Sequence, residues 1–229
     1  MKKYLGSWNL SEILWLISFS GLSIYMFFQF NDTPINLIIS LTGLCCVLLV
    51  AKGSIWTYFF GAITTSLYAY TAYKAGLYGE SMLNALYFVP IQFIGLYSWL
   101  KNRGDHTDHS KIEVKSLTIT GWLYVVLTVI IVSILYGLFL HEIGSKQAHL
   151  DGFAVVLSIV AQALMVRRYV EQWVLWIVVN ILTIALWYRN FMLDGGHITI
   201  LIMWCAYLYN SIYGYIVWRN ANSGKGKLL

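Results

Sequence analysis

Residues 117–140 read LTITGWLYVVLTVIIVSILYGLFL, twenty-four consecutive positions without a charged side chain. A helix crosses the hydrocarbon core of a bilayer with about 20 mostly apolar residues, so this stretch spans with about a turn to spare. Seven further stretches have the same character: 11–30, 35–51, 55–74, 80–100, 151–167, 171–189 and 196–218. Those at 35–51 and 151–167 are short and lean on their flanks. The expected fold is an all-α integral membrane protein with eight transmembrane helices.

Composition agrees. Hydrophobic residues make up 59% of the 229 and charged residues 11%, against roughly 45–50% and about 25% in a soluble domain. So few charges could not cover a soluble globule. All ten carboxylates and all five histidines fall at span ends or between spans, as a cost of a few kcal/mol per buried charge requires. The first span follows Lys2 and Lys3, but its apolar core exceeds a signal peptide's and no small-x-small site precedes Asn31-Asp32-Thr33-Pro34. It reads as a retained helix. Pro34 should then open the next helix, where its missing N–H costs nothing.

Basic residues set the expected orientation. With the N-terminus inside, the inner segments carry Lys2, Lys3, Lys52, Lys101, Arg103, Lys111, Lys115, Arg167, Arg168, Arg219, Lys225 and Lys227, and the outer ones only Lys74, Lys146 and Arg189. Twelve against three places both termini in the cytoplasm and makes the net charge of +5 a topology signal rather than a nucleic-acid surface. Cys45, Cys46 and Cys205 lie in apolar spans with no acid or histidine nearby, so neither a metal site nor a cofactor is expected. The tail Ser223-Gly224-Lys225-Gly226-Lys227 lacks the upstream glycine and strand of a phosphate loop.

The chain also repeats. Trp56 and Tyr68 match Trp176 and Tyr188 at an offset of 120; Gly95 and Trp99 match Gly214 and Trp218 at 119. Three spans end on the side opposite their start, so a second copy in the same orientation needs one extra crossing. The unrelated stretch 117–140 supplies it. The expected architecture is 3+1+3 parallel triple-helix repeats plus an extra N-terminal helix, divided as 1–34 (extra helix), 35–102 (first repeat), 103–148 (cytoplasmic loop and linker helix), 149–220 (second repeat) and 221–229 (basic tail). Carriers of this symmetry bind near the midplane between repeats.

With charges absent from the spans, amides become the informative polar groups. Asn84, Phe88 and Gln92 fall at i, i+4 and i+8, one stripe of an α-helix, and Pro90 should kink that helix and free the Leu86 carbonyl. Trp176, Asn180, Thr183 and Trp187 share a face of 171–189; Trp204, Tyr207, Asn210 and Gly214 lie along one of 196–218. Gln92, Asn180 and Asn210 are near helix centres. Each amide alone reads as readily as interhelical glue worth about 0.6–2 kcal/mol, and Gln162 and Thr64-Thr65-Ser66 fit glue better. Amides paired with tryptophans at mid-depth instead suit a flat, hydrogen-bonding solute.

The pattern Trp176-x-x-x-Asn180 followed by Trp187-Tyr188 and preceded by Glu171-Gln172-Trp173 resembles the nicotinamide riboside transporter (PnuC) family. So does Glu80-Ser81-Met82-Leu83-Asn84-Ala85-Leu86-Tyr87, continuing to Gly95 and Trp99; the resemblance covers about residues 35–220. It implies a 3+1+3 fold related to SWEET sugar carriers, a homotrimer, and facilitated uptake of nicotinamide riboside across the bacterial inner membrane, with trapping by a cytoplasmic kinase. Trp176 and Asn180 fit the family motif directly as substrate-binding residues; Gln92, Asn84, Phe88, Asn210, Trp187 and Tyr207 join them by position. The ligand's pyridinium cation suits aromatic faces, and its carboxamide and hydroxyls suit side-chain amides. A phosphate would be desolvated without a basic partner, so phosphorylated substrates should be rejected. An intramembrane enzyme would need a placed acid, base, nucleophile or metal, which these spans do not offer. A ligand-free assembly subunit and a carrier of another vitamin, nucleoside or sugar are the remaining alternatives.

Overall fold

A computed structural model of the chain describes residues 10–51, 54–101, 115–167 and 169–222. The basic tail beyond 222, residues 102–114, Lys52, Gly53, Arg168 and residues 1–9 with the leading lysines lie outside the described residues. The described chain is helical throughout, with a single isolated backbone bridge, Lys115 to Tyr169. Eight helical runs follow one another: α1 (Leu10–Phe30), α2 (Pro34–Ala51), α3 (Trp56–Ala75), α4 (Tyr78–Met82, Leu83–Phe88 and Val89–Lys101 without a break), α5 (Ile119–Glu142), α6 (Ala148–Val166), α7 (Gln172–Asp194) and α8 (Ile198–Asn222). They match the eight apolar stretches. Pro34 is the first residue of α2, as its lack of an N–H dictates. Four of these helices, α1, α5, α6 and α7, are long and apolar enough to cross a membrane.

The middle of α4 departs from α geometry. Leu83–Phe88 is a π-helical turn, and the Val89 N–H reaches back five residues to the Asn84 carbonyl. The cause sits two positions on: Pro90 has no N–H to give and its ring crowds the carbonyl four residues earlier. The expected kink is thus resolved by widening the helix. An extra residue per turn changes the angular spacing, so a stripe drawn at 3.6 residues per turn does not carry unaltered from Asn84 through Phe88 to Gln92.

The helices group into two compact units. The first holds α1 to α3, α4 from Ser81, and Trp187–Tyr207; the second holds Gly76–Glu80, the chain from α5 to Leu186, and α8 from Leu208. In the first, α2 packs on α3 and α1 on α2. α1 has one buried residue, Ser23, whose hydroxyl lies 3.0 Å from that of Ser40. Thr64 donates to Thr42 Oγ1 at 2.8 Å, the structural glue expected of that run. In the second, α5 crosses α6 where Gly152 faces Gly137; a Cβ at Gly152 would sit 3.1 Å from the Gly137 backbone. Small residues let helix backbones approach where apolar lipid gives no drive to associate.

Candidate functional site

Within the first unit an aromatic group forms around Tyr68. Its hydroxyl accepts the Trp187 indole N–H at 2.7 Å and the Trp204 indole N–H at 3.2 Å. Ring centroids lie 5.5 Å from Trp187 and 5.9 Å from Trp204 with tilted planes, the edge-on arrangement aromatic quadrupoles favour. Trp204 packs on Tyr207 at 5.3 Å. The Tyr207 hydroxyl lies against Gly43, where a Cβ would come within 2.5 Å of it. Trp187 is fully buried and Tyr207 half-buried.

The three predicted residues of α4 belong to the same unit. Asn84 is buried inside the π turn, and Phe88, half-buried, ends it. Gln92 packs on Gly61, whose hydrogen leaves room for its amide; a Cβ there would lie 2.5 Å from Gln92 Oε1. The Gln92 side chain also lines a cavity of about 370 Å³ with Tyr58, Phe59 and Phe93.

In the second unit Asn180, 3% exposed, donates from its amide to the Ser211 hydroxyl at 2.8 Å. Ser211 follows Asn210, which is half-buried, as is Trp176 one turn before Asn180. The start of α7 is clamped to α8: Trp173 covers Gly214, where a Cβ would lie 2.5 Å from the ring, and its own ring packs 5.9 Å from that of Trp218. The first unit has the counterpart, with Tyr58 at the start of α3 pressed onto Gly95 of α4.

Sequence reasoning treated the carboxylates only as charges kept out of the bilayer. Two of them cap helices. Asp32, 6% exposed, accepts the Thr199 N–H at 2.9 Å and its hydroxyl at 2.7 Å, the Asn36 amide at 2.6 Å, the Thr33 N–H at 2.7 Å and the His197 N–H at 3.2 Å. Burial alone would raise its pKa, but these bonds outweigh burial and hold the carboxyl below its ordinary value. In the second unit Asp151, fully buried, accepts the Gly79 N–H at 2.7 Å and the Glu80 N–H at 2.8 Å at the start of α4. Orphan N–H groups at a helix start welcome a carboxylate for both hydrogen-bond and dipole reasons. Asp32 and Asp151 stand 119 positions apart, and so do Glu80 and Thr199, whose N–H groups they hold. Gly76 and Gly195, both with positive φ at the ends of α3 and α7, share the spacing. The offset of Gly95 and Gly214 would have found these residues; the match of Tyr68 to Tyr188 does not reveal Tyr68 as the centre of the aromatic group. Among the described residues no cluster of histidine, cysteine and acids has metal-site geometry.

A family model described as nicotinamide mononucleotide transporter matches residues 33–220. The nicotinamide riboside transporter PnuC of Neisseria mucosa is 44% identical over 220 residues, 95% of this chain and 84% of that protein. That of Haemophilus influenzae is 34% identical over 217 residues, 95% of this chain and 93% of that one. A crystal structure of the vitamin B3 transporter PnuC matches with a TM-score of 0.77 and 43% identity, covering 97% of this chain and 96% of that chain. Apolar helices and transporter relatives together make this a multi-pass membrane protein. A family match along residues 33–220, with kin this similar over nearly the whole chain, makes the protein a member of the nicotinamide riboside transporter PnuC family.

Proposed function

We propose that this protein carries nicotinamide riboside by facilitated diffusion across the bacterial inner membrane, both termini cytoplasmic, with a cytoplasmic kinase trapping the imported riboside by phosphorylation. The observation that carries the reading is an aromatic group, Tyr68, Trp187, Trp204 and Tyr207, built without a charged side chain. Aromatic faces attract a desolvated pyridinium by about 2 kcal/mol. Trp176, Asn180, Gln92, Asn84, Phe88, Asn210, Trp187 and Tyr207 are the proposed substrate contacts. The relatives are named for the riboside and the family model for the mononucleotide. Charge favours the riboside, because no Lys or Arg sits within the central parts of the spans to answer a phosphate.

The 3+1+3 repeat arrangement is part of the proposal. Its support is the pair of equivalent caps: at the start of the first helix of each repeat stands an aspartate that holds the start of the other repeat's third helix. A homotrimer remains an expectation from the family.

Uniport is supported by the role of two of the buried acids. Asp32 and Asp151 are occupied as helix caps, and protonating them would break those bonds. Proton-coupled carriers place a titrating group in the path. Proteoliposomes without kinase, at zero membrane potential, provide the test. Labelled nicotinamide riboside should equilibrate and stop, and the mononucleotide should not enter. Accumulation under an imposed proton or sodium gradient would refute uniport, and mononucleotide entry would refute the substrate assignment.

A further inference from the structure

The carboxylate of Asp32 reaches the aromatic group through two side chains. Asp32 Oδ1 takes an Asn36 amide proton at 2.6 Å, which turns the NH2 group of Asn36 toward it. The same nitrogen lies 3.0 Å from His197 Nδ1. Its second proton makes that ring nitrogen the acceptor, so the network assigns His197 as the neutral ring protonated at Nε2. His197 sits at φ 69°, a left-handed conformation that the Asp32 bond to its N–H helps hold. Its ring packs on Trp187 with centroids 5.1 Å apart. Trp187 in turn donates to Tyr68, which also receives Trp204. Two N–H donors occupy both lone pairs of the Tyr68 hydroxyl, so its own proton is directed to a third group.

We propose that His197, oriented by Asn36 and Asp32, is a positioning residue for the substrate-binding aromatic group. It holds the plane of Trp187, and through Trp187 the Tyr68 hydroxyl and the Trp204 face. A neutral ring serves this task; an imidazolium would compete with a cationic solute for the indole face. The inference rests on the reading of Trp187 and Tyr207 as part of the substrate site.

The test is a double-mutant cycle on the purified full-length protein, with nicotinamide riboside affinity by calorimetry and unfolding temperature measured for each variant. His197→Asn removes the ring while keeping a residue that tolerates positive φ. It should weaken binding roughly fivefold, the scale of one coupled contact, and add less than about twofold in the Trp187→Phe background. A lowered unfolding temperature with parental affinity, or fully additive losses, would overturn the positioning role while Trp187→Phe still binds weakly. Parental affinity in Trp187→Phe and in Tyr207→Phe would overturn the site reading, and the inference with it.

Discussion

At the scale of single residues, the binding roles proposed for Asn180 and Trp176 differ. Trp176 is half-buried and available for stacking, so Trp176→Ala should weaken nicotinamide riboside binding by about 1–2 kcal/mol. Asn180 already donates to Ser211, leaving its carbonyl oxygen for the ligand. Asn180→Ala should therefore cost affinity about 1–3 kcal/mol. Calorimetry on folded variants decides, and unchanged affinity at both positions would remove them from the site. Asp32 gives a pH prediction with a definite sign. Its folded pKa is depressed, so its stabilisation is present above the unfolded value and is lost as pH falls through the folded one. Thermal unfolding followed from neutral to below the carboxylate range should show a loss of stability in the acid limb. Asp32→Asn should flatten that limb and lower stability at neutral pH.

At the scale of elements, glycines decide how closely helices lie. Gly214 on α8 meets the six-membered ring of Trp173 on α7, and the ring sits between Gly214 and Trp218 with little room to move. Gly214→Ala should destabilise the protein by about 1–3 kcal/mol, the usual cost of overpacking. A lower unfolding temperature checks it, and Trp173→Leu in the same chain should restore part of the loss by vacating the space. The π turn in α4 is the other element-scale feature. It shows how one proline, by withholding one hydrogen, rewrites which side chains of its helix share a face.

At the scale of the whole molecule, the proposed orientation rests on the Lys/Arg distribution. Single cysteines introduced on a background lacking Cys45, Cys46 and Cys205 should react from outside intact cells at 145–148 and stay protected at 105–110. The opposite labelling would reverse the topology and end the reading of both termini as cytoplasmic.

The sequence by itself determined the class, the eight helical runs and the family, because hydropathy is a property of each residue and adds along the chain. It also carried the matched spacings of 119 and 120 residues on which the proposed repeat rests, since spacing is kept whatever the packing. It did not determine partners. Tyr68 bonds to residues 119 and 136 positions away, and nothing local marks it for that role. Asn180 meets Ser211 rather than its neighbour Asn210, because one residue turns a helix side chain by about 100° and the rotation of α8 is set by what α8 packs against. Span-end charge reads in sequence as contact with water. Only the folded chain, by bringing the helix starts at Thr199 and Glu80 to Asp32 and Asp151, turned those charges inward as caps.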